Sequence, residues 1–289
     1  MLNVIVNPRS LRGTGKRLLE KIGERLDAWG GEYRIFRTER KGQATELARQ
    51  LTEEGERTIV AMGGDGTMND VLSGLTHTEE CSFGLIPAGT GNDFATSAKI
   101  PFGMDALELI LTAEAKPTDY IQFDDGRRSL NIAGLGIDVD VLQRCERMKL
   151  FHKKVKYFLS LLVSLMKFRG YRVEVDVNGE TSVRTALIAA VCNGKFLGGG
   201  IPLCPPAEVA DGKMDLIVVD CPARRKILPA LIRLMKGKIL SLPFAHHTLC
   251  DRAVITPGQP SVAQYDGELW ETKALGATLV AGKLKMFRG

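Results

Sequence analysis

The sequence GGDGT at residues 63–67 carries the clearest indication of chemistry in the chain. An apolar run precedes it and helix-compatible residues follow it, which predicts a strand, a tight turn and a helix. Consecutive glycines let backbone N–H groups approach an anion, and the positive end of the helix dipole strengthens that attraction. Asp65 would repel a bare phosphate, so its presence indicates a Mg²⁺ ion or a reacting hydroxyl beside it. An ordinary strand–helix turn with a solvated aspartate is the alternative.

A second pair of carboxylates, Asp266 and Glu268, flanks Gly267 in the sequence YDGE. A tight turn between two strands would hold the pair together, so that one residue accepts a hydroxyl proton while the other orients it. Asp-Gly is also a common hairpin turn, and the motif taken alone favours that simpler explanation.

Two more glycine-containing loops, at residues 7–16 and 88–93, are each predicted to follow a strand. The carboxyl ends of parallel strands lie along one edge of a sheet, so these loops and GGDGT can face one ligand. Any one of them could be a local cap, but three together favour a phosphate-binding site. Their candidate donors to phosphate oxygens are Asn7, Ser10, Lys16, Thr67, Thr90 and Asn92.

The elements that position these loops alternate between strand and helix. Strands are predicted at 2–7, 32–37, 58–62 and 82–86, and amphipathic helical segments lie between them. This order predicts a parallel sheet covered on both faces by helices. We therefore expect an α/β nucleotide-binding domain over residues 1–118.

After Pro117 the pattern becomes mostly antiparallel. Val173, Val175 and Val177 alternate with acidic residues, and an Asn-Gly turn follows them. Helices are predicted at 138–168 and 224–236. We expect a second, β-rich domain over residues 119–289, with its C-terminal end able to pack back on the first domain. Its strands are predicted at 128–134, 171–177, 181–192, 214–220, 253–256, 262–265 and 277–287.

Composition indicates a soluble globular protein, since 44% of the residues are hydrophobic and 25% are charged. We expect no transmembrane helix and no signal peptide. The six cysteines lack CxxC spacing, which favours reduced thiols over disulfides or zinc. His246 and His247 are expected in a solvated loop.

The net charge of +5 is concentrated in one segment. Residues 144–172 contain nine basic residues and one acidic residue. Such a segment favours an anionic partner, for example phosphate, nucleic acid or an acidic membrane surface. A core helix with one solvated basic side is an equally good explanation.

The motifs also occur in a characteristic order. NPRS, GGDGTMND, PAGTGNDF, NGKFLGGG, ADGKMD and YDGE follow the order found in the diacylglycerol kinase catalytic superfamily. The chain resembles the soluble bacterial diacylglycerol kinases and related lipid kinases, with sphingosine kinases as more distant relatives. The resemblance extends over almost the whole chain.

The resemblance implies an ATP-binding α/β domain similar to that of phosphofructokinases and NAD kinases, a β-rich second domain and an active site in the cleft between them. It also implies Mg²⁺, with Asp65 supporting Mg²⁺·ATP and Asp93 in a polar network nearby. The residues implied in nucleotide binding are Asn7, Pro8, Arg9, Ser10, Thr38, Gly64, Asp65, Gly66, Thr67, Met68, Asn69, Asp70 and Thr90.

By the same resemblance, a structural Mg²⁺ would lie at Asp211, with backbone oxygens of Glu208 and Lys213 as further ligands. Glu268, with Asp266 beside it, matches the proton-accepting position. A lipid hydroxyl would then attack the γ-phosphorus of ATP as this pair accepts its proton. Relatives usually have glycine directly after NPxS, whereas Leu11 stands here, so the shape of the first phosphate loop stays open.

We expect a lipid kinase, with conversion of diacylglycerol to phosphatidic acid as the leading reaction. The alternatives are a phosphotransferase similar to NAD kinases and a non-enzymatic nucleotide-binding regulator at a membrane surface. The basic segment and its apolar residues argue against the first alternative, and the presence of Asp65, Asp266 and Glu268 argues against the second.

The expected location is the cytoplasm, at the inner surface of the membrane. The expected partner is a lipid substrate at an anionic membrane surface, without nucleic acid, because the basic segment contains no recognisable nucleic-acid-binding motif. The sequence names neither the lipid nor the purine of the nucleotide. It also leaves the oligomeric state open, with a homodimer among the alternatives.

Overall fold

Short apolar runs, each followed by an amphipathic segment, produce the N-terminal part of the fold. The computed structural model describes residues 1–11, 15–147, 153–167 and 169–289, with the backbone alone at 146–147, 153–154 and 156–158. The chain divides into two compact units, one formed by Met1–Asp119 with Ala281–Gly289 and the other by Tyr120–Val280.

The first unit contains a parallel sheet with strand order β2-β1-β3-β4. Its strands are β1 (Leu2–Val6), β2 (Tyr33–Arg37), β3 (Thr58–Gly63) and β4 (Ser82–Pro87). Its helices are α1 (Gly15–Trp29), α2 (Gln43–Glu53), α3 (Asp65–Gly74), α4 (Asp93–Ser97) and α5 (Met104–Thr112). The predicted alternation of strands and helices is confirmed.

Apolar side chains of the strands and helices form the core of this unit. Val4, Val60, Met62 and Ile86 from the sheet pack with Ile22 and other residues of the helices. Leu11 is also buried in this core, which explains why an apolar residue follows Ser10. Residues 12–14 of the first loop, which bear on its predicted shape, lie outside the described part of the chain.

The second unit is built mainly from antiparallel strands. The strands that lie wholly or partly in it are β5 (Lys116–Phe123), β6 (Arg128–Ser129), β7 (Ile132–Gly136), β8 (Tyr171–Val177), β9 (Glu180–Cys192), β10 (Phe196–Leu197), β11 (Ile201–Pro202), β12 (Met214–Asp220), β13 (Ala245–Cys250), β14 (Arg252–Pro257), β15 (Ser261–Tyr265), β16 (Glu268–Thr272) and β17 (Leu275–Met286). Its helices are α6 (Ile137–Arg147), α7 (Lys153–Lys167) and α8 (Ile227–Met235).

Alternating side chains of the central strands fill two separate cores, one on each face of the sheet. Ala189 and Val191 of β9 belong to one core, whereas Ile188 and Ala190 belong to the other. Residues of α6, α7 and α8 contribute only to the second core. One sheet face is therefore covered by helices. None of the described helices is long and apolar enough to span a bilayer.

Three predictions for this unit are corrected by the structure. The strand predicted at 128–134 is split into β6 and β7, because the N–H groups of residues 130–132 bind a carboxylate instead of a strand. The helix predicted at 138–168 is two helices, α6 and α7. His246 and His247 lie in strand β13 and pair with carboxylates, so they are not in a solvated loop.

Candidate active site

The ends of the parallel strands bring the predicted loops of the first unit to one edge of the sheet. In the strand register, Val6 of β1 is paired with Met62 of β3 on one side and with Arg37 of β2 on the other. Gly63 of β3 is paired with Pro87 of β4. The segments that follow β1, β2, β3 and β4 therefore leave the sheet at the same height. This is the edge where parallel α/β sheets bind ligands.

The first loop is tied to the GGDGT loop by side-chain hydrogen bonds. Asn7 donates through Nδ2 to Thr67 Oγ1 at 3.1 Å. The amide of Arg9 donates to Asn7 Oδ1 at 3.1 Å, and the hydroxyl of Ser10 donates to the carbonyl of Asn7 at 2.7 Å. Asn7 thus fixes the NPRS turn and joins it to the start of α3, while Pro8 and Arg9 remain exposed.

The second and third loops contact each other backbone to backbone. A Cβ atom on Gly89 would lie only 2.4 Å from the Cα atom of Gly64, so position 89 requires glycine, and a Cβ atom on Gly64 would make a tight 3.1 Å contact with the Cα atom of Gly89. Asn92, in the left-handed backbone region with φ of 54°, closes the third loop. Its side chain accepts a hydrogen bond from the Gly89 amide and donates one to the Gly89 carbonyl, both at 3.0 Å.

Asp65 reaches from the first turn of α3 to the first turn of α4. Its carboxylate accepts hydrogen bonds from the amides of Asn92 at 2.8 Å and Phe94 at 3.4 Å. Gly91 lies beside this carboxylate, and a Cβ atom there would be 2.9 Å from Asp65 Oδ2 and 3.5 Å from Asp93 Oδ2. The structure therefore brings two carboxylates to one side of Gly91, next to the glycine loops.

Most of the other predicted nucleotide-binding residues lie at the ligand-binding edge of the sheet, whereas Met68 is buried in the core. Gly66, Thr67, Asn69 and Asp70 lie in the first turns of α3, and Thr38 and Thr90 follow β2 and β4 at the ligand-binding edge. Met68 is different, because its side chain is fully buried and its amide donates to the Gly64 carbonyl at 3.0 Å. The Met68 side chain thus packs the helix against the core, and the predicted role of Met68 in nucleotide binding stays a prediction.

Asp266 of the second unit is held by four donors. Its carboxylate accepts a hydrogen bond from the Ser129 hydroxyl at 2.5 Å. It also accepts hydrogen bonds from the backbone amides of Leu130, Asn131 and Ile132, each at 3.1 Å. Asp266 itself is only 7% exposed, and its φ of 48° fits the Asp-Gly turn between β15 and β16. The carboxylate of Asp266 thus organises the turn at 129–132, and its predicted share in proton acceptance stays a prediction.

Glu268 begins β16 directly after this turn, level with Tyr265 of β15. It is half-buried, whereas Asp266 is buried. The hairpin therefore separates the two predicted carboxylates into a buried residue that organises the backbone and a residue at the surface. Arg127 lies nearby, with its guanidinium 4.2 Å from the centre of the Trp270 ring.

The predicted metal-binding turn precedes β12. Asp211 is exposed, and its Oδ1 atom accepts a hydrogen bond from the backbone amide of Lys213 at 3.0 Å. The side chain of Glu208 binds Lys195, and that of Lys213 binds Asp251. Because both side chains are engaged in ion pairs, the backbone oxygens of Glu208 and Lys213 are the groups available to bind a metal ion. An oxygen-only donor set of this kind suits Mg²⁺ or Ca²⁺.

The second unit also contains a polar residue that the sequence did not single out. Asp138, in the first turn of α6, is 3% exposed. Among the described residues no hydrogen bond of ordinary geometry reaches its carboxylate oxygens, and the nearest polar groups are the amides of residues 138 and 139 and the side chain of Gln264. Burial raises the pKa of this carboxyl from 3.8 to about 6. The local sequence GIDVD did not indicate that Asp138 is buried, because an aspartate at the start of a helix is usually exposed.

Asp138 borders an apolar cavity. The volume that a water-sized probe can occupy in this cavity is about 60 Å³. Helices α7 and α8 contribute Leu161, Leu165 and Leu234 to its wall. The other wall residues are also aliphatic, and the carboxylate of Asp138 is turned away from the cavity, so that its surface is almost entirely apolar. The cavity lies entirely within the second unit.

Two family patterns match the chain. The family "Diacylglycerol kinase catalytic domain" matches residues 1–123, and the family "YegS C-terminal NAD kinase beta sandwich-like domain" matches residues 131–288. The two matches together cover nearly all of the sequence.

Similar proteins carry related names. A "Probable lipid kinase YegS-like" protein of Cronobacter sakazakii is 32% identical over 226 residues, which are 76% of this chain and 72% of that protein. The "Diacylglycerol kinase" of Bacillus subtilis is 26% identical over 269 residues, which are 92% of this chain and 88% of that protein.

Solved structures show the same fold. A crystal structure from Bacillus anthracis strain Sterne, described as a candidate diacylglycerol kinase, superposes with a TM-score of 0.83 at 25% identity and covers 100% of this chain and 95% of that one. An NAD kinase from Archaeoglobus fulgidus superposes with a TM-score of 0.53 at 12% identity, over 100% of this chain and 94% of that one. The second likeness shows the fold alone.

Proposed function

The chain belongs to the diacylglycerol kinase catalytic domain family, and on that premise we propose that it phosphorylates a membrane lipid. A kinase activity follows from the membership. The proposed reaction transfers the γ-phosphoryl group of ATP to a lipid hydroxyl, with diacylglycerol as substrate and phosphatidic acid as product. We assign nucleotide binding to residues 1–118 and lipid binding to residues 119–289.

The three loops of the first unit support the nucleotide assignment. The turn after β3 leads into the N-terminus of α3, where unpaired helix N–H groups and the helix dipole attract phosphate oxygens. Asn7, Thr67 and Asn92 hold these loops together by the hydrogen bonds described above. Phosphoryl transfer depends mainly on such positioning and on charge stabilisation.

Mg²⁺ fits two places in the chain. The carboxylates of Asp65 and Asp93 beside Gly91 offer oxygen donors for the ion that accompanies ATP. The exposed Asp211 turn offers a second oxygen site, separate from the glycine loops in sequence. When bound with ATP, Mg²⁺ would neutralise negative charge that develops on the transferring phosphoryl group.

Glu268 is our candidate for the residue that accepts the hydroxyl proton. A general base must be able to reach a substrate hydroxyl, and the partly exposed Glu268 meets that condition better than the buried Asp266. Asp266 is then a positioning residue. Its hydrogen bonds to residues 129–132 fix the start of the hairpin that presents Glu268.

The apolar cavity of the second unit is the observation that carries the lipid assignment. A polar, soluble acceptor such as a dinucleotide gains nothing from an aliphatic cavity, whereas a fatty acyl chain gains free energy from each CH₂ group that leaves water. The cavity of about 60 Å³ has room for only a few CH₂ groups, so we propose that it receives one part of an acyl chain.

The outer surfaces of the two cavity helices support action at a membrane. On α8, Leu228, Ile232 and Met235 are 61%, 49% and 45% exposed, and their spacing places them on one helix face. Residues 224–238 contain six basic and no acidic residues. On α7, Met166 is 69% exposed. Apolar side chains with a basic border are typical of helices that bind an anionic membrane interface.

The test is an assay of phosphoryl transfer from radiolabelled ATP to purified acceptors in mixed micelles. The panel contains diacylglycerol, a sphingoid base, phosphatidylglycerol and NAD⁺. We expect a labelled lipid product and no labelled dinucleotide. Labelling of NAD⁺ with every lipid unlabelled would contradict the proposal, and labelling of a lipid other than diacylglycerol would contradict only the choice of substrate.

A further inference from the structure

Three side chains that can bind a metal converge in the second unit, outside the candidate active site. They are Cys204, which follows β11, Asp215 on β12 and His247 on β13. One potential ligand atom from each lies within 4.8 Å of those of the other two. The nucleotide loops, the Glu268 hairpin and the Asp211 turn use none of these three residues.

The strand register explains why they meet. His247 is paired with Ile217 on β12, two residues from Asp215, so both side chains point to the same face of the sheet. Asp215 is paired on its other side with Cys192 of β9, which therefore shares that face. Cys204 reaches the same place from its own segment, whose position is fixed by a 3.1 Å hydrogen bond from its amide to the Lys195 carbonyl.

Burial distinguishes this cluster from a surface ion pair. Asp215 is 1% exposed, Cys192 and Cys204 are completely buried, and Asp215 Oδ1 lies 2.5 Å from Nε2 of His247. Burial raises the pKa of Asp215, and the hydrogen bond from His247 opposes that rise. Burial, together with a hydrogen bond to Cys204, also raises the pKa of the Cys192 thiol. A cation between these groups would compensate the buried charge.

We propose that Cys204, Asp215 and His247 bind a zinc-like divalent cation, and that Cys192, which lies opposite Asp215 in the sheet, moves closer to supply the fourth ligand. Thiolate sulfur, imidazole nitrogen and carboxylate oxygen are the ligands that Zn²⁺ prefers, in tetrahedral sets of four. With metal–ligand distances of about 2.0–2.3 Å, the ligand atoms of a tetrahedral site lie roughly 3.3–3.8 Å apart. Cys204 would therefore move towards the ion, and Asp215 and His247, now 2.5 Å apart, would separate to admit it. On binding, the two thiols release their protons to solvent. The half-exposed ring of His247 gives the ion a path to the site.

Such an ion would be structural. All four ligands come from the protein, which leaves no open position for a substrate. The ion would join the segment after β11 to strands β9, β12 and β13. Mg²⁺ should not occupy the site, because it selects oxygen ligands in octahedral geometry. The proposal is therefore independent of the kinase assignment.

The test uses the full chain, stripped of metal with a chelator under reducing conditions and titrated with Co²⁺ as a spectroscopic substitute for Zn²⁺. We expect saturation at one Co²⁺ per chain, a thiolate-to-cobalt charge-transfer absorption, and loss of that absorption when Zn²⁺ is added. Mg²⁺ in excess should leave the absorption unchanged.

Two variants and two matched controls locate the site. His247→Ala and Cys204→Ser should each weaken Co²⁺ binding by more than the ~10- to 100-fold that loss of a partner around a metal ligand causes. His246→Ala removes the neighbouring histidine, which pairs with Asp220 instead, and Cys250→Ser changes a buried thiol that faces the other core. Both controls should bind Co²⁺ as the wild-type chain does.

The proposal fails if the wild-type chain shows no thiolate-to-cobalt absorption, or if His247→Ala binds Co²⁺ as tightly as His246→Ala does. His247 is the decisive position, because its ring is 29% exposed and its replacement should leave the fold intact even where Cys204→Ser does not. Zn²⁺ should also raise the melting temperature of the wild-type chain and of His246→Ala, but not that of His247→Ala.

Discussion

Asp65 combines two roles that a substitution can separate. Its carboxylate holds the amides of Asn92 and Phe94, and it also carries the negative charge proposed to support Mg²⁺·ATP. We expect Asp65→Asn to reduce kcat by ~10²-fold or more, since the loss of one electrostatic group in phosphoryl transfer typically costs that much. Steady-state kinetics at saturating Mg²⁺·ATP measures the effect.

Asn92→Gly is the matched control for Asp65→Asn. It disturbs the same loop and keeps its positive φ accessible, but it removes no charge. The control should raise the apparent KM for ATP, because Asn92 holds the third loop, but it should reduce kcat much less than Asp65→Asn does. Equal losses in the two variants would show that Asp65 acts only by holding the loop.

Glu268 and Asp266 should respond differently to the same chemical change. Glu268→Gln should lower kcat by about 10²–10⁴-fold, the usual contribution of a general base, while the melting temperature stays unchanged. Asp266→Asn should lower the melting temperature, because an amide cannot accept hydrogen bonds from all four donors that surround the carboxylate. Kinetics and thermal unfolding of both variants test this division. If Asp266→Asn were stable but had no turnover, Asp266 would take part in proton transfer and would not only position the hairpin.

Asp138 should make stability depend on pH. Its pKa is raised from 3.8 to about 6 in the folded chain, so the folded state binds its proton more tightly than the unfolded state. The resulting stabilisation is complete below about pH 4 and is lost as pH rises through 6. From the size of this shift, the loss is about 3 kcal/mol. Asp138→Asn should remove this part of the pH dependence.

Urea unfolding between pH 4 and 8 measures this effect. A Trp29→Phe background leaves Trp270 as the tryptophan that reports on the second unit. Asp105→Asn, at an exposed position of α5, is the control and should keep the wild-type pH dependence. Parallel pH curves for wild-type and Asp138→Asn would show that Asp138 is not protonated in the folded chain near pH 5.

Helix α8 has an inner face that borders the apolar cavity and an outer face with exposed apolar side chains. Leu228→Asp combined with Ile232→Asp should weaken binding to anionic vesicles and raise the apparent KM for lipid in those vesicles. Activity on a short-chain, water-soluble lipid should survive. Phe102→Asp, at a 53% exposed position of the first unit, is the control. Co-sedimentation of the double variant equal to that of the control would contradict membrane contact through α8.

The predicted contact of the basic segment at 144–172 with a membrane is not tested by the structure. Lys153, Lys154 and Lys156 begin α7, but their side chains lie outside the described part of the chain, as do residues 148–152. Reversal of these three lysines to glutamate stays a prediction. It should reduce vesicle binding at low salt, since each basic residue near an anionic surface contributes about 1 kcal/mol.

Features that depend on local sequence were predictable. The glycine loops could be placed because glycine marks tight turns and close backbone approach, and the Asp-Gly hairpin because its turn chemistry lies within two residues. The four donors of Asp266 could not be predicted, since they lie 134–137 residues away in the chain. Pairing of His247 with Asp215 likewise depends on the register of β12 and β13, which AHHTLC does not reveal.

The first unit is completed by a segment from the far end of the chain. Leu284 and Met286 are fully buried, Lys285 and Met286 pair with β4, and the Gly282 amide donates to Asp119 at 2.6 Å. Residues 1–119 expressed alone should therefore be unstable, because burial of each such side chain contributes about 1.5–3 kcal/mol. Attaching residues 281–289 to Asp119 through a short glycine–serine linker should restore stability.

Limited proteolysis of the two fragments measures this difference. The linked fragment should resist a protease concentration that degrades residues 1–119. A linked variant with Leu284→Asp keeps the added length but removes one buried contact, and it should be degraded as residues 1–119 are. Equal resistance of all three fragments would show that the segment contributes no stability.

The same segment has a consequence for biosynthesis. A ribosome releases residues 281–289 only after the complete second unit has been translated, so the first unit cannot finish its sheet while it is being made. Until then, the edge of β4 that receives β17 remains open to pairing with other strands. At about 5–20 residues per second, this exposure lasts on the order of ten seconds or more. Chaperones that bind nascent chains should therefore associate with this protein through the first unit.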